Sequence, residues 1–307
     1  VWRRNQALGL DWYCDFRGLF LSKRLERTSR DLAILTFPGQ LWLLGTRIVA
    51  WYANTANRSS FTGVKAETIA KTLVNFNAGA AATTGAGRLK AGAITGLSIT
   101  TDLARGNTTD WYCSYDNLLV TLQKLATANN FDFDLVKTGA LTWAFEYYPA
   151  LGVDRTATLT FSLERGNMRE PVYALDRSTE ATVALVGGKG EDAARVVLPV
   201  YSSAWSATDD LEVFVNETSY QDGVATTPIL TAAGQKKLKD SQARETFTHK
   251  PIQAPGAFYG KDYAVAGVLG DTVKAAFRTV TATQRLVGVD VAVGNGGEAV
   301  DVLLQTL

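Results

Sequence analysis

The chain has 307 residues, of which 46% are hydrophobic and 20% charged, and this balance excludes an intrinsically disordered protein. A length of this size predicts two domains. Lys and Arg total 31 against 30 Asp and Glu, and the resulting net charge of +1 argues against a nucleic-acid binder. No apolar run reaches the roughly 18 residues of a membrane span, and the N-terminus lacks a signal-peptide core, so we expect a soluble chain.

Two segments in the first half have the apolar spacing of an amphipathic helix. They are residues 66–77 and residues 116–129, and Asp116 is the predicted N-cap of the second. Between them, residues 78–93 consist mainly of Ala, Gly and Thr. Because these side chains offer so little surface for packing, we predict an exposed or partner-dependent loop there. A third helix, polar and Lys-rich, is predicted on the surface over residues 231–244.

Much of the remaining chain consists of short runs rich in Val, Thr, Leu and aromatic residues, separated by turns that contain Gly. This pattern is typical of a strand-rich fold. The run 157–163 alternates, which predicts Leu159, Phe161 and Leu163 on one face of a strand. The other predicted strands are 141–148, 181–186, 195–198, 211–215, 263–268, 271–277, 285–293 and 300–304. A turn is predicted at 295–297, where the sequence reads Asn-Gly-Gly.

The reactive side chains argue against catalysis and against metal binding. The single histidine, His249, has no Gly-x-Ser-x-Gly elbow to serve, so we predict no Ser-His-Asp triad. Cys14 and Cys113 are interpreted as buried, reduced thiols. One histidine and two cysteines cannot supply the four ligands of a structural zinc site. We therefore predict no catalytic residue, no metal site and no cofactor.

Two further patterns resemble functional sites without the context that such sites need. Residues 187–190 read Gly-Gly-Lys-Gly after a predicted strand, but a second strand follows instead of a helix, which predicts a hairpin rather than a phosphate loop. Asp132 and Asp134 share one face of a predicted strand, and Glu146 and Glu164 are predicted on neighbouring strands. Glycosidases use paired acids, yet such pairs are expected by chance among 30 carboxylates.

Several segments spread from residue 45 to the end of the chain are informative through their shared order and spacing. They are 47–61, 66–74, 117–126, 131–136, 160–167, 183–190, 259–263 and 269–271. Together they resemble the tail proteins of long-tailed bacteriophages (siphophages) of the ReqiPepy type, within the baseplate-hub or tail-tip hub family. Residues 1–20 and 78–93 have no counterpart in this resemblance.

The resemblance implies a mainly β fold of the α+β class, with two tail-tube-like β-barrel domains and an inserted, helix-containing α/β region. The first barrel would comprise residues 1–61 and 141–180, the insertion 62–140, and the second barrel 181–307. Barrel closure removes exposed strand edges, which suits a chain with many short strands. Because the sequence begins at Val1 rather than Met, we also expect further residues upstream.

The same resemblance implies a structural virion protein rather than an enzyme. It would be a homotrimeric tail-tip or baseplate hub that adapts the sixfold tail tube to the threefold tip and encloses the DNA channel. The implied partners are the distal tail protein ring, the tape-measure protein, and tip, spike or receptor-binding proteins. DNA would pass transiently without sequence-specific binding. Assembly is expected in the host cytoplasm, and the functional residues would form interfaces rather than a pocket.

Two alternatives remain open at the level of sequence. A tail-associated cell-wall hydrolase would use acids such as Glu146 or Glu164. A glycan-binding tail module would use exposed tryptophans, although Trp51, Trp111 and Trp143 are predicted in the core.

Overall fold

The computed structural model describes residues 1–27, 31–52, 54–55, 58–218, 226–294 and 297–307. The helices in this part are α1 Trp42–Gly45, α2 Ala66–Asn77, α3 Leu118–Asn129 and α4 Thr226–Asp240. The strands are β1 Trp2–Asn5, β2 Leu10–Cys14, β3 Ser22–Arg27, β4 Asp31–Thr36, β5 Asn54–Thr55, β6 Arg58–Lys65, β7 Leu97–Ile99, β8 Thr108–Cys113, β9 Asp132–Gly139, β10 Thr142–Tyr148, β11 Thr160–Ser162, β12 Met168–Asp176, β13 Val183–Gly187, β14 Val197–Tyr201, β15 Glu212–Asn216, β16 Arg244–Pro251, β17 Thr272–Phe277, β18 Val280–Gly294 and β19 Gly297–Thr306. The fold is therefore mainly β, as predicted.

The described strands form several small sheets rather than one large one. Their orders are β1-β2, β3-β4, β5-β6-β8, β7-β10-β9, β11-β17-β18-β19, β12-β16 and β14-β13-β15. Three pairs are parallel, namely β7 with β10, β11 with β17, and β13 with β15. The strands predicted at 285–293 and 300–304 are present as β18 and β19, and both are longer than predicted. Most of the turn predicted at 295–297 lies outside the described residues.

The first core forms where α2 and α3 pack against each other and against β10. Ile69 and Leu73 of α2, Leu118 and Leu122 of α3, and Phe145 of β10 are fully buried in it. Their spacing of three and four residues puts the apolar side chains of each helix on one face. The predicted bounds of α2 are confirmed because this stripe is uninterrupted between residues 66 and 77.

The start of α3 differs from the prediction. Asn117, not Asp116, is the N-cap, and its Oδ1 accepts a hydrogen bond from the backbone N–H of Val120 at 3.2 Å. Both residue types are good N-caps, so sequence alone does not choose between neighbours. The helix ends at Asn130, which adopts a left-handed conformation with φ 53°.

Residues 78–93 form a loop with many exposed side chains, as predicted, but the loop is also folded back onto the first core. The indole Nε1–H of Trp51 donates to the carbonyl oxygen of Ala86 at 2.9 Å. The buried guanidinium of Arg88 donates to the carbonyl oxygen of Ile48 at 3.0 Å. Several side chains of the segment remain exposed, but its backbone is held by residues distant in sequence. Composition within the segment could not reveal these partners.

A buried charge cluster closes one end of α2. The carboxylate of Glu67 accepts from Lys71 Nζ at 2.6 Å and from Arg105 Nε at 2.9 Å. The Glu67 side chain is fully buried, and Lys71 is almost so. Burial alone would raise the pKa of Glu67, but the hydrogen bonds from Arg105 and Lys71 outweigh it and lower this pKa to about 2. Glu67 is therefore a carboxylate at neutral pH.

The second core lies between β11, β17, β18 and β19. Leu159, Phe161 and Val273 are buried there, but Leu163 is 46% exposed, so its predicted place on the same face was wrong. The strand ends at residue 162 because the chain turns: the N–H of Gly166, at φ +65°, donates to the carbonyl oxygen of Leu163 at 3.0 Å. The apolar alternation in the sequence extends to Leu163, whereas the strand ends at Ser162.

The strand predicted at 263–268 is absent, and a short 3-10 turn, Val265–Gly267, stands in its place. Ala264 has φ 48° and Gly267 has φ 78°, and neither angle occurs in a strand. Tyr263 is nevertheless buried, so the apolar pattern correctly predicted burial but not conformation.

A third cluster forms where α4 covers the sheet β14-β13-β15. Leu230 and Leu238 are buried against it. A Cβ on Gly234 would lie 2.6 Å from a methyl of Val200, so glycine permits the helix to approach the sheet closely. The helix predicted over 231–244 in fact begins and ends earlier, because its apolar contacts begin at Leu230 and the residues from 244 form β16.

One ion pair joins the two main cores. Arg285 of β18 donates from Nη2 to Oδ2 of Asp132 on β9 at 2.5 Å, which links β18 to the sheet β7-β10-β9. A second ion pair lies beside the second core alone, where Arg155 donates from Nε to Oδ2 of the buried Asp271 at 2.5 Å.

Candidate functional site

The hairpin formed by β3 and β4, here called the arm, exposes nearly all of its side chains. Its register pairs Lys23 with Leu35 and Leu25 with Ala33, and every arm residue except Glu26 is exposed. The large apolar side chains Leu25, Leu32, Ile34 and Leu35 are 41–68% exposed. Such a group of exposed aliphatic side chains is typical of a surface that another protein covers.

The two faces of the arm differ in character. One face carries Leu25 and Leu35 together with Lys23, and the other carries Leu32 and Ile34 beside an ion pair between Arg24 and Glu26. The alternation places apolar side chains on both faces, so the arm has no face that is wholly polar. Neither face is covered by another element of the described chain.

The base of the arm is also apolar. Phe20 and Phe37 meet edge to face with ring centroids 5.9 Å apart, and they are 61% and 44% exposed. The N–H of Leu21 donates to the carbonyl oxygen of Thr36 at 2.9 Å, which continues the hairpin beyond its last paired residues. The exposed apolar surface therefore extends along the paired strands of the arm to its base.

The hairpin of β18 and β19, here called the ribbon, offers a second exposed surface. On its outer face Asp290 lies directly opposite Asp301, with Leu303 beside them at 60% exposure. Its inner face, with Val289 and Val291, lines a cavity of about 560 Å³. Within the described residues, neither Asp290 nor Asp301 has an ion pair or hydrogen bond through its side chain.

The cavity behind the ribbon is apolar, and its charged groups are engaged with each other. Arg3 pairs with Glu298 through Nε and Oε1 at 2.7 Å, and the hydroxyl of Tyr259 donates to Asp15 at 2.8 Å. Burial, together with that hydrogen bond to Asp15, raises the pKa of Tyr259. These charged groups are thus satisfied internally, which suits a packing surface better than a reactive site.

Asp132 and Asp134 lie two residues apart on β9 and share one face of it, as predicted. Asp132 is bound by Arg285, and Asp134 lies opposite Glu146 across β9 and β10. Burial raises the pKa of Asp134. Glu164 lies in the turn after β11, and β11 pairs with β17, so the prediction that Glu146 and Glu164 occupy neighbouring strands was wrong. Glu146 lies on the sheet β7-β10-β9, whereas Glu164 follows a strand of another sheet. This pair of acids therefore gives no support to the hydrolase alternative.

His249 is a packed side chain. Its Nε2 lies 2.8 Å from Oε1 of Gln284, and its ring is tilted against Phe161 and Phe247 at centroid distances of 5.4 and 5.7 Å. Burial lowers the pKa of His249, which favours the neutral ring. The surroundings are those of a core histidine, since a general base needs a carboxylate to orient it and a nucleophile to activate.

The glycine-rich segment 187–190 is part of a hairpin, as predicted. β13 pairs with β14 antiparallel, and the N–H of Gly188 donates to the carbonyl oxygen of Val196 at 2.8 Å. The guanidinium of Arg195 donates to the carbonyl oxygens of Gly187 and Gly188 at 3.3 and 3.1 Å. A cation therefore approaches backbone carbonyls here, whereas a phosphate loop directs backbone N–H groups at an anion.

The two cysteines differ in exposure. Cys113 on β8 is buried, as predicted, whereas Cys14 is only half-buried, and both are free thiols. Burial is the largest cause of a raised pKa at Cys113, and the nearby carboxylate of Asp116 adds to it, so this pKa is about 11. The thiol of Cys113 is therefore protonated at neutral pH.

Among the described residues, no cluster of three or more His, Cys, Asp or Glu side chains could hold a metal ion, and no helix is long and apolar enough to cross a membrane. Trp143 is buried and Trp51 and Trp111 pack against the first core, which confirms the prediction for all three. The arm was not predicted. Its signal was the charged, alternating Lys-Arg-Leu-Glu-Arg at 23–27 followed by Asp-Leu-Ala-Ile-Leu at 31–35.

Comparison with known proteins identifies related folds. The 43 kDa tail protein of prophage MuSo2 from Shewanella oneidensis has a TM-score of 0.54 at 11% identity, over 95% of this chain and 77% of that chain. A tail protein from Neisseria meningitidis MC58 has a TM-score of 0.48 at 14% identity, over 94% and 79%. Prophage tail protein gp18 from Listeria monocytogenes EGD-e has a TM-score of 0.47 at 14% identity, over 95% and 78%. No curated protein sequence matches the chain.

The likeness to the Shewanella oneidensis protein shows a shared fold at an identity too low to carry function. A family profile described as Siphovirus ReqiPepy6 Gp37-like protein matches residues 16–304, nearly the whole chain. This confirms the resemblance to the tail proteins of ReqiPepy-type siphophages. The chain belongs to the Siphovirus ReqiPepy6 Gp37-like protein family and is a phage tail structural protein of the siphovirus type.

Proposed function

We propose that the chain is the homotrimeric hub of the tail tip or baseplate. In this role it adapts the sixfold tail tube to the threefold tip and encloses the DNA channel. It contacts the distal tail protein ring, the tape-measure protein, and tip, spike or receptor-binding proteins. It is assembled in the host cytoplasm and resides at the tail tip of the virion. Membership of a tail protein family supports a place in the tail.

The exposed arm is the observation that carries this proposal. An isolated two-stranded hairpin is marginally stable in water, and the arm pairs with no further strand of the described chain. Its exposed leucines and Ile34 would contribute stability if a neighbouring subunit buried them. A protein that completes its fold by contact with neighbours suits a ring component better than a monomeric enzyme or lectin.

Two further features support the hub. The net charge of +1 favours a channel that passes DNA without retaining it. The buried clusters of residues 44–147 and of residues 159–302 are separate, which is compatible with more than one domain. The division into barrels at 1–61 with 141–180 and at 181–307, around an insertion at 62–140, remains part of the proposal.

The test is the mass of the purified chain by light scattering over a range of concentrations, followed by imaging of intact tails. We expect a mass three times that of the 33.1 kDa chain and three copies in the tip. A mass of 33.1 kDa at every concentration, together with a tip that lacks three copies, would contradict the proposal.

A further inference from the structure

We propose that the arm of one copy adds to the free edge of β19 in a second copy, so that copies join through unlike surfaces. The inference rests on the proposed homotrimer, and it names the two surfaces that meet. The inference is supported by two exposed strand edges, by complementary charges, and by the repulsion between Asp290 and Asp301.

Both strands have an edge that needs a partner. β19 is the last strand of the order β11-β17-β18-β19, and over ten residues it pairs only with β18 in the described chain. Near its end β19 runs beside β16, and Thr306 Oγ1 donates to the carbonyl oxygen of Phe247 at 3.4 Å, but no second strand of the described chain pairs with its edge near Asp301. β3 likewise pairs only with β4. Strand addition satisfies the backbone groups of both edges.

The charges of the two surfaces are complementary. β3, with the sequence Ser-Lys-Arg-Leu-Glu-Arg, has three cations, of which Arg24 pairs with Glu26 and Arg27 with Asp31, so that Lys23 remains for a partner. The outer half of the ribbon, residues 289–301, has three acids and no cation. One of these acids, Glu298, is already paired with Arg3, so Asp290 and Asp301 remain for a partner. Opposite charges favour this pairing and disfavour self-contact of either surface.

The pair of Asp290 and Asp301 is unfavourable within one subunit. Like charges directly opposite on neighbouring strands are destabilising, and both carboxylates are exposed. Lys23 is exposed opposite Leu35, and in the described chain its ammonium has no ion pair. An arm added along β19 brings this ammonium beside Asp301, which relieves the repulsion across the ribbon.

The apolar side chains agree with the same arrangement. Leu303 lies on the face of Asp301, and Leu25 and Leu35 lie on the face of Lys23. Joining the strands therefore continues an apolar and charged face from one copy to the next. Because the arm and the ribbon edge are unlike surfaces, the contact is heterologous, and it closes into a ring when the rotation between copies is suitable. Three copies make the proposed trimer.

Two charge reversals test the contact. Asp301→Lys places a cation opposite Asp290, so it should raise the thermal midpoint of the monomer while weakening assembly. Lys23→Glu should weaken assembly without changing the monomer. Each should raise the concentration at half-assembly about tenfold, and the double variant should restore it. Lys124→Glu on the exposed side of α3 is the matched control. Assembly is read by light scattering and unfolding by calorimetry.

The outcomes separate this inference from the hub itself. A wild-type trimer that resists both reversals contradicts the arm contact and leaves the trimer standing. A wild-type dimer or open polymer that both reversals dissociate supports the arm contact and contradicts the trimer. A wild-type chain that stays monomeric at every concentration overturns the arm contact. Imaging of intact tails would then test whether the chain is the hub.

Discussion

At the scale of single residues, the charge cluster of Glu67, Lys71 and Arg105 is the most constrained feature of the first core. A buried carboxylate is costly to desolvate, and it is tolerated here because two cations bind it at 2.6–2.9 Å. Arg105 also donates to the carbonyl oxygen of Tyr147 at 2.9 Å, which ties the cluster to β10. The spacing of four residues within a helix is compatible with a pair of Glu67 and Lys71, but sequence spacing shows neither the contact with Arg105 nor the burial of the cluster.

The first prediction concerns acid stability. The pKa of Glu67 is lowered to about 2 in the folded chain, against about 4.3 for an unfolded glutamate. Its contribution is therefore complete above the unfolded pKa and is lost as pH falls through the folded pKa. We expect the free energy of unfolding to decrease from about pH 4.5 towards pH 2 because Glu67 takes up a proton on unfolding. Urea unfolding at several pH values measures this.

Glu67→Gln is the comparison. It should cost about 3–5 kcal/mol at neutral pH, because it leaves two cations without their partner, and its stability should depend less on acid pH. Glu212→Gln, at an exposed position of β15, is the matched control and should behave like the wild type. A Glu67→Gln chain whose stability falls as steeply with acid as that of the wild type would contradict the assignment.

At the scale of elements, the second prediction is the cap of α3. Asn117 accepts from the N–H of Val120 and also donates from Nδ2 to the carbonyl oxygen of Gly45 at 2.6 Å. Asn117→Ala should therefore lower the free energy of unfolding by about 1–2 kcal/mol. Asp116→Ala, one residue earlier, should change it by less than about 0.5 kcal/mol. If both substitutions lowered the free energy of unfolding equally in chemical denaturation, the assignment of the N-cap to Asn117 would be contradicted.

The third prediction concerns the arm. Leu35→Ser should leave the monomer's free energy of unfolding within about 0.5 kcal/mol, because the side chain is 49% exposed. It should reduce tail assembly when the variant gene complements a phage that lacks the protein. Leu141→Ser, 72% exposed in the turn between β9 and β10, is the control and should complement fully. Complementation by both variants would mean that nothing covers the arm.

The elements also show how far sequence can predict this fold. Helix α2 could be predicted to the residue because its apolar period is its main determinant. The run 263–268 misled because a short apolar run occurs both in strands and in partly buried turns, and only the φ angles of Ala264 and Gly267 separate the two. For residues 78–93 the sequence could not show the contacts with Trp51 and Ile48, because both residues lie outside the segment.

At the scale of the whole molecule, a few polar contacts couple the two main cores. Arg285 reaches from β18 to Asp132, and it also donates to the carbonyl oxygen of Leu151 at 3.2 Å. The sequence singled out Asp132 but assigned it no cation, since Arg285 lies 153 residues away along the chain.

The fourth prediction tests this coupling. In a double-mutant cycle of Asp132→Ala and Arg285→Ala, the two losses should be non-additive by about 1 kcal/mol, because removing either partner already abolishes the ion pair. Unfolding followed by tryptophan fluorescence and by calorimetry measures it. A matched cycle of Asp132→Ala with Lys274→Ala, which share no contact, should be additive. Additivity in both cycles would mean that the cores are joined by other contacts.

The buried thiol of Cys113 can serve as a probe for opening of the first core. While Cys113 is buried, its thiol pKa of about 11 leaves only about one molecule in a thousand with the reactive thiolate near pH 8. Alkylation therefore reports the rate at which β8 separates from β6, while the half-buried Cys14 reports access near the N-terminus. A single mass-spectrometric time course on free chains and on assembled tails would compare the opening of both regions before and after incorporation into the particle.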